Sequence, residues 1–167
     1  MLRGKPVEMM MTDEAKRQLL LKKRVNSPGE TEALVSDFLS HVSPGQTIAL
    51  YGNLGSGKTF FVQTLCRLLA TEEPPTSPTF TIINEYRAQG GMPVYHFDFY
   101  RIEHDAELAN LGLDDYFYGD GLCLIEWADK IAAHLPLPRF EIYLDFVEQQ
   151  PEARDISIHL VIDKNIF

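Results

Sequence analysis

The stretch Gly52-Asn53-Leu54-Gly55-Ser56-Gly57-Lys58-Thr59 fits the pattern G-x-x-x-x-G-K-[ST]. It stands between a β-rich run, Gln46 to Tyr51, and a segment with Phe61, Val62, Leu65, Leu68 and Leu69 at helical spacing. At ordinary residue frequencies such a string arises by chance in about 4 of every 100,000 windows, so a glycine turn that merely links strand to helix is the poorer reading. The pattern has a direct physical meaning. Small residues let successive backbone N–H groups converge on one concavity, and the helix that follows adds the positive end of its dipole, so a polyphosphate is held there. Lys58 is placed to reach the β- and γ-phosphates, and the Thr59 hydroxyl to ligate Mg2+.

The rest of the chain alternates strands and helices around this loop. Upstream, Ser27-Pro28-Gly29-Glu30 starts a helix whose Leu34, Val35, Phe38, Leu39 and Val42 fall on one face until Pro44-Gly45 stops it. Downstream, Glu72 to Pro78 is rich in Pro, Thr and Ser and reads as an exposed loop before a strand over Phe80 to Tyr86. Gly90-Gly91 turns the chain into a second strand, Val94 to Tyr100. A short helix follows from Asp105 to Gly112, then the continuously apolar Leu122 to Ile125, as expected of a strand covered on both faces. Ala128 to Leu135 reads as a short helix. Phe140 to Val147 and Ile156 to Ile162 alternate as two last strands. The expected fold is an α/β, P-loop NTPase-like sandwich: a mixed sheet with a parallel centre and antiparallel edges, and helices on both faces.

At 167 residues the chain suits one domain, and with 45% hydrophobic and 23% charged residues it is neither disordered nor a coiled coil. The charge is uneven. Residues 1–26 hold seven Lys or Arg against three Asp or Glu, net +4, which leaves eight against 21, net −13, for residues 27–167. The basic segment 1–26 reads as a solvated extension before the domain of residues 27–167. Its longest apolar runs are too short for a secretory signal, and its acids Glu8, Asp13 and Glu14 argue against a transit peptide. No stretch has the 18 apolar residues of a membrane span, and Cys66 and Cys123 stand apart, so a reducing, cytoplasmic setting is expected. The acidic balance disfavours direct contact with a phosphate backbone.

An Mg-nucleotide site also needs a carboxylate near the P-loop. Two acids qualify, each at the end of an apolar strand where α/β proteins place their ligands: Asp98 after Val94-Tyr95-His96-Phe97, and Glu126 after Leu122-Cys123-Leu124-Ile125. Residue type and position alone leave open which holds the metal and which positions water. His96, inside its strand, reads as a structural histidine.

Beyond the P-loop, the chain carries Ser77-Pro78-Thr79-Phe80-Thr81, Glu85-Tyr86, Val94-Tyr95-His96-Phe97-Asp98-Phe99-Tyr100-Arg101, Glu107-Leu108 with Gly112 and Tyr116-Phe117, and Ile125-Glu126-Trp127. In this order and with these gaps it resembles the TsaE family, P-loop ATPases needed in bacteria for threonylcarbamoyladenosine in tRNA, over roughly residues 27 to 160. The resemblance implies that Thr59 and Glu126 ligate Mg2+, that Asp98 orients or deprotonates the attacking water, and that the segment Ser77 to Thr79 is a switch beside the γ-phosphate. It also suggests Thr31 and Arg154 as nucleotide contacts. Three positions depart from the family: Phe60 where a second Thr is common, Asn53 for Asp, and Val35 for Gly.

The expected activity is slow Mg2+-dependent ATP hydrolysis. Work with a TsaB–TsaD heterodimer, which carries the transferase site, is implied, and tRNA is met through those partners. The modified base is the adenosine next to the anticodon. Two rivals are a small-molecule P-loop kinase, disfavoured because Arg139 is the only arginine between Trp127 and Phe140, and an ATP-dependent binding module without turnover, disfavoured by the presence of both acids.

Overall fold

The computed structural model of the chain describes residues 15–166. They form one seven-stranded sheet in the order β1-β7-β6-β2-β5-β4-β3. The strands are β1 (Ala15–Val25), β2 (Thr47–Tyr51), β3 (Ile83–Arg87), β4 (Pro93–Asp98), β5 (Leu122–Glu126), β6 (Arg139–Val147) and β7 (Gln150–Asp163). The helices are α1 (Pro28–Phe38), α2 (Lys58–Leu68) and α3 (Leu113–Phe117), with short stretches of 3-10 helix elsewhere among the connections. β2 lies parallel to both β5 and β6, and β5 is parallel to β4. At the flanks β3, β7 and β1 run antiparallel to their neighbours, so the mixed sheet with a parallel centre is as expected.

The two-residue period of the strands divides the core. Ile48 and Leu50 of β2, with Leu122 and Leu124 of β5, face Leu34, Val35 and Phe38 of α1 and Phe61, Val62 and Leu65 of α2. Ala49, Tyr51, Cys123 and Ile125 point the other way, onto Leu108, Leu113, Phe117, Ala128 and Ile131. All five residues of β2, and all five of β5, are buried. Sandwiching the central strands between two covered faces is what fixes the strand ends on which the site stands.

Four elements differ from the sequence reading. The basic segment expected to be a solvated extension is, over Ala15–Val25, the edge strand β1 paired along β7; its first 14 residues lie outside the described residues. Val25 at its end is fully buried against α1. Phe80 and Thr81 are not in a strand, because the N–H groups of Thr81 and Ile82 both return to the Pro78 carbonyl in a tight turn, leaving Phe80 81% exposed. β4 ends at Asp98, whose Oδ1 accepts from the Tyr100 N–H at 2.9 Å and turns the chain out of the sheet. The expected helix over Ala128 to Leu135 is a pair of 3-10 turns interrupted at Ile131.

Candidate functional site

The P-loop joins the end of β2 to the start of α2. Gly52 passes so close to β6 that a Cβ there would lie 2.6 Å from the Leu144 carbonyl oxygen. Gly57, the residue before the helix, has φ of 106°, a left-handed conformation that side chains resist. The loop is pinned from outside by Arg154 on β7. Its Nε donates to the Ser56 carbonyl at 2.9 Å, its Nη2 to that of Gly55 at 3.2 Å, and its guanidinium lies 4.6 Å from the centre of the Phe146 ring. Leu54 sits at the exposed tip, while the Ser56 hydroxyl is buried without a partner among the described residues.

Lys58 is buried and folds back over its own loop. Its Nζ donates to the carbonyls of Gly52, at 2.5 Å, and Asn53, at 3.1 Å, and lies 4.1 Å from the centre of the Trp127 indole. An ammonium has three N–H groups, so these carbonyls use two of them. Burial pulls the Lys58 pKa below the ordinary lysine value, against the opposing pull of Glu126, Asp129 and Asp98. Trp127 itself holds a φ of 56°, a strained left-handed backbone directly after Glu126.

The two acids that the sequence singled out stand side by side: Asp98 and Glu126 are register partners across the β4 and β5 ends. Both are buried, at 4% and 2% exposure, so neither is a surface carboxylate that merely caps a helix. The Thr59 hydroxyl donates to Glu126 Oε2 at 2.8 Å. The other oxygen, Oε1, lies 2.8 Å from His96 Nε2. Asp98 Oδ2 accepts from the Thr79 hydroxyl at 3.1 Å, which is itself 2.8 Å from the Ser77 hydroxyl. The loop from Ser77 to Thr79 is thereby tethered to Asp98.

One hydroxyl and one carboxylate at a helix start form a donor set that suits Mg2+. That ion takes only one or two protein oxygens and fills its shell with phosphate and water. The glycine-rich turn at the start of α2 and the Ser56 hydroxyl, buried without a partner among the described residues, suit the polyphosphate. The structure thus gathers Gly52 through Thr59, Asp98, Glu126 and Arg154. Thr31 is used differently: its hydroxyl donates to the Ser27 carbonyl at 3.4 Å, inside the first turn of α1. The sequence reading missed the link from His96 to Glu126. The signal available for it was a histidine in the alternation of β4, two residues before Asp98 and therefore on the same face.

A family model described as "Threonylcarbamoyl adenosine biosynthesis protein TsaE" matches residues 25–156. A tRNA threonylcarbamoyladenosine biosynthesis protein TsaE from Bacillus subtilis is 44% identical over 124 residues, 74% of this chain and 77% of the relative. Its counterpart of the same name from Nostoc is 44% identical over 120 residues, covering 70% and 72%. The one from Haemophilus influenzae is 35% identical over 118 residues, covering 71% and 72%. Among solved structures, the crystal structure of YdiB from Bacillus subtilis is similar with a TM-score of 0.67 at 35% identity, covering 89% of this chain and 88% of that one.

Proposed function

Since the chain belongs to the TsaE family of threonylcarbamoyl adenosine biosynthesis, its matched residues taking in the whole site, we propose that it is the Mg2+-dependent ATPase subunit of that tRNA modification. The observation that carries the reading is the buried contact between Thr59 and Glu126, 2.8 Å long, at the start of the P-loop helix and beside Asp98. In this reading the P-loop amides and Lys58 hold the phosphates of ATP, and Thr59 and Glu126 hold Mg2+. The bound ion neutralises charge on the phosphates and aligns them. Asp98 orients the attacking water and receives its proton. Two donors, the Thr79 hydroxyl and the Tyr100 N–H, leave acceptor sites on Asp98 open for that water, and the Thr79 contact couples the loop from Ser77 to Thr79 to the carboxylate as a switch.

Hydrolysis by the chain alone is slow. Arg101, the arginine nearest Asp98 in the central motif, lays its guanidinium 4.1 Å from the centre of the exposed Phe80 ring rather than on the site. A TsaB–TsaD heterodimer supplies the transferase chemistry, and by ordering the switch loop it stimulates turnover. The test is Mg2+-dependent ATP hydrolysis with and without that pair, for the wild type, Lys58→Ala and Glu126→Ala. Stimulation that both substitutions abolish is the expected result. Binding of ATP without turnover in either condition would overturn the hydrolase reading and leave a binding module. Phosphate transfer to a small hydroxyl compound in place of water would instead make the chain a kinase.

A further inference from the structure

The reading of Thr59 and Glu126 as the metal's ligands leaves one buried polar group beside them unused. His96 is fully buried in β4, yet its ring makes one hydrogen bond only among the described residues: Nε2 meets Glu126 Oε1 at 2.8 Å, while Nδ1 is buried without a partner. A carboxylate can only accept, so the tautomer this contact requires carries its hydrogen on Nε2. Val94 and Leu124 share its face of the sheet, the latter as its register partner on β5. An aliphatic side chain would fill that place without burying a bare ring nitrogen, so packing does not account for a histidine here. The geometry of Glu126 does. One oxygen is held by His96 and the other by Thr59, at 2.8 Å each, so the carboxylate is held at both ends.

We infer that His96 is the positioning residue of the metal site: it holds Oε1 of Glu126 so that Oε2 stays turned toward Thr59 and the ion that the two share. The inference rests on the proposed Mg2+-nucleotide function and adds a residue that touches neither ion nor nucleotide. Hydrogen-bond partners of metal-ligating groups set the ligand's orientation, and their loss typically weakens metal binding about 10- to 100-fold. Phosphate binding through the P-loop amides does not pass through His96. Its removal therefore separates the metal-dependent part of ATP affinity from the metal-free part.

The experiment measures ATP binding by equilibrium dialysis, in EDTA and across a Mg2+ series, for the wild type, His96→Leu, His96→Asn and His96→Gln. Glutamine carries its amide nitrogen as many bonds from Cα as Nε2 lies, whereas asparagine stops one bond short. The expected result is that leucine and asparagine leave ATP affinity in EDTA within about twofold. The Mg2+ concentration for half-maximal effect rises about 10- to 100-fold for both, and glutamine recovers most of it. If the leucine variant does not fold, the asparagine and glutamine pair reads the same contrast. An unchanged Mg2+ dependence in asparagine, a glutamine variant as impaired as asparagine, or an equal loss of affinity in EDTA would each overturn the positioning role. A wild type whose ATP affinity ignores Mg2+ would overturn the metal reading of Thr59 and Glu126 itself, a result distinct from those three.

Discussion

At the residue scale, the glycines of the P-loop differ in what they are for, and the structure separates them. Gly57 is required by its backbone angle alone, Gly52 both by its φ of 155° and by space. At Gly52 a side chain would meet the Ser56 hydroxyl and the Leu144 carbonyl; the hydroxyl can turn away, but the carbonyl cannot retreat, because Tyr51 and Tyr143 next to it are register partners in the sheet. Gly52→Ala must push β2 and β6 apart where the phosphate loop leaves the sheet. Overpacking of this kind costs about 1–3 kcal/mol. The expected outcome is a lowered melting temperature together with loss of ATP binding in a titration. Gly29→Ala is the control, since a Cβ there meets nothing nearer than the Ser27 hydroxyl at 3.9 Å. A Gly52→Ala protein that binds ATP as the wild type does would show that the loop tolerates the displacement. The same scale explains why the acids were legible. Asp98 and Glu126 each end an apolar run, and the parallel pairing of β4 with β5 brings them level. Residue type and position did not order their roles, which only the family resemblance suggested, because the contact of Thr59 with Glu126 joins residues 67 apart in the chain.

At the element scale, the buried strands announced themselves and the exposed one did not. Leu122 to Ile125 is apolar throughout because both its faces are covered, whereas β1 reads Lys16-Arg17-Gln18-Leu19-Leu20-Leu21-Lys22-Lys23-Arg24 with most of its side chains in solvent. A register shift between Leu19 and Leu21 further breaks the two-residue alternation by which a strand is recognised. Strand formation there is imposed by the edge of β7, not by local pattern. Its anchor is Val25, wholly buried beside α1. A variant beginning at Asn26 therefore loses more than a charged tail. Burying one valine is worth about 1.5–3 kcal/mol, and each kcal/mol moves the melting temperature of a chain this size by about 2–4 °C. The variant should melt roughly 3–12 °C lower from Val25 alone, with a bare β7 edge that favours association. A melting temperature equal to that of the full chain would mean that β1 is a passive attachment.

At the scale of the whole molecule, each face of the sheet seals one cysteine: Cys66 on the side of α1 and α2, Cys123 on the other. Burial pushes both thiols from the ordinary value of 9.0 up to about 12. Between those values the folded chain keeps protons that the unfolded chain has released. The contribution of the two thiols to stability is therefore complete below pH 9.0 and falls as pH rises toward 12. Native protein at pH 8 should resist iodoacetamide at both positions, and rapid labelling of either would show that its layer opens. Charge, too, acts on the molecule as a whole. Its net −9 hides a basic edge, because Lys16, Arg17, Lys22, Lys23 and Arg24 all lie on β1. That edge is partly neutralised from within: Arg17 pairs with Glu141 at 3.2 Å, and Arg24 with Asp155 at 2.7 Å. β1 is also the outermost strand, separated from the ends of β5 and β4 by β7, β6 and β2. A tRNA drawn to it would not meet the P-loop. Three lysines outside those pairs could release too few counterions to hold a tRNA at physiological salt against an acidic body. The isolated protein should therefore give no stable tRNA complex in a filter-binding assay at 150 mM salt, and form one only when the proposed TsaB–TsaD pair is added. Tight binding by the chain alone, falling steeply as salt is raised, would relocate the tRNA contact to β1 and make the edge strand part of the function.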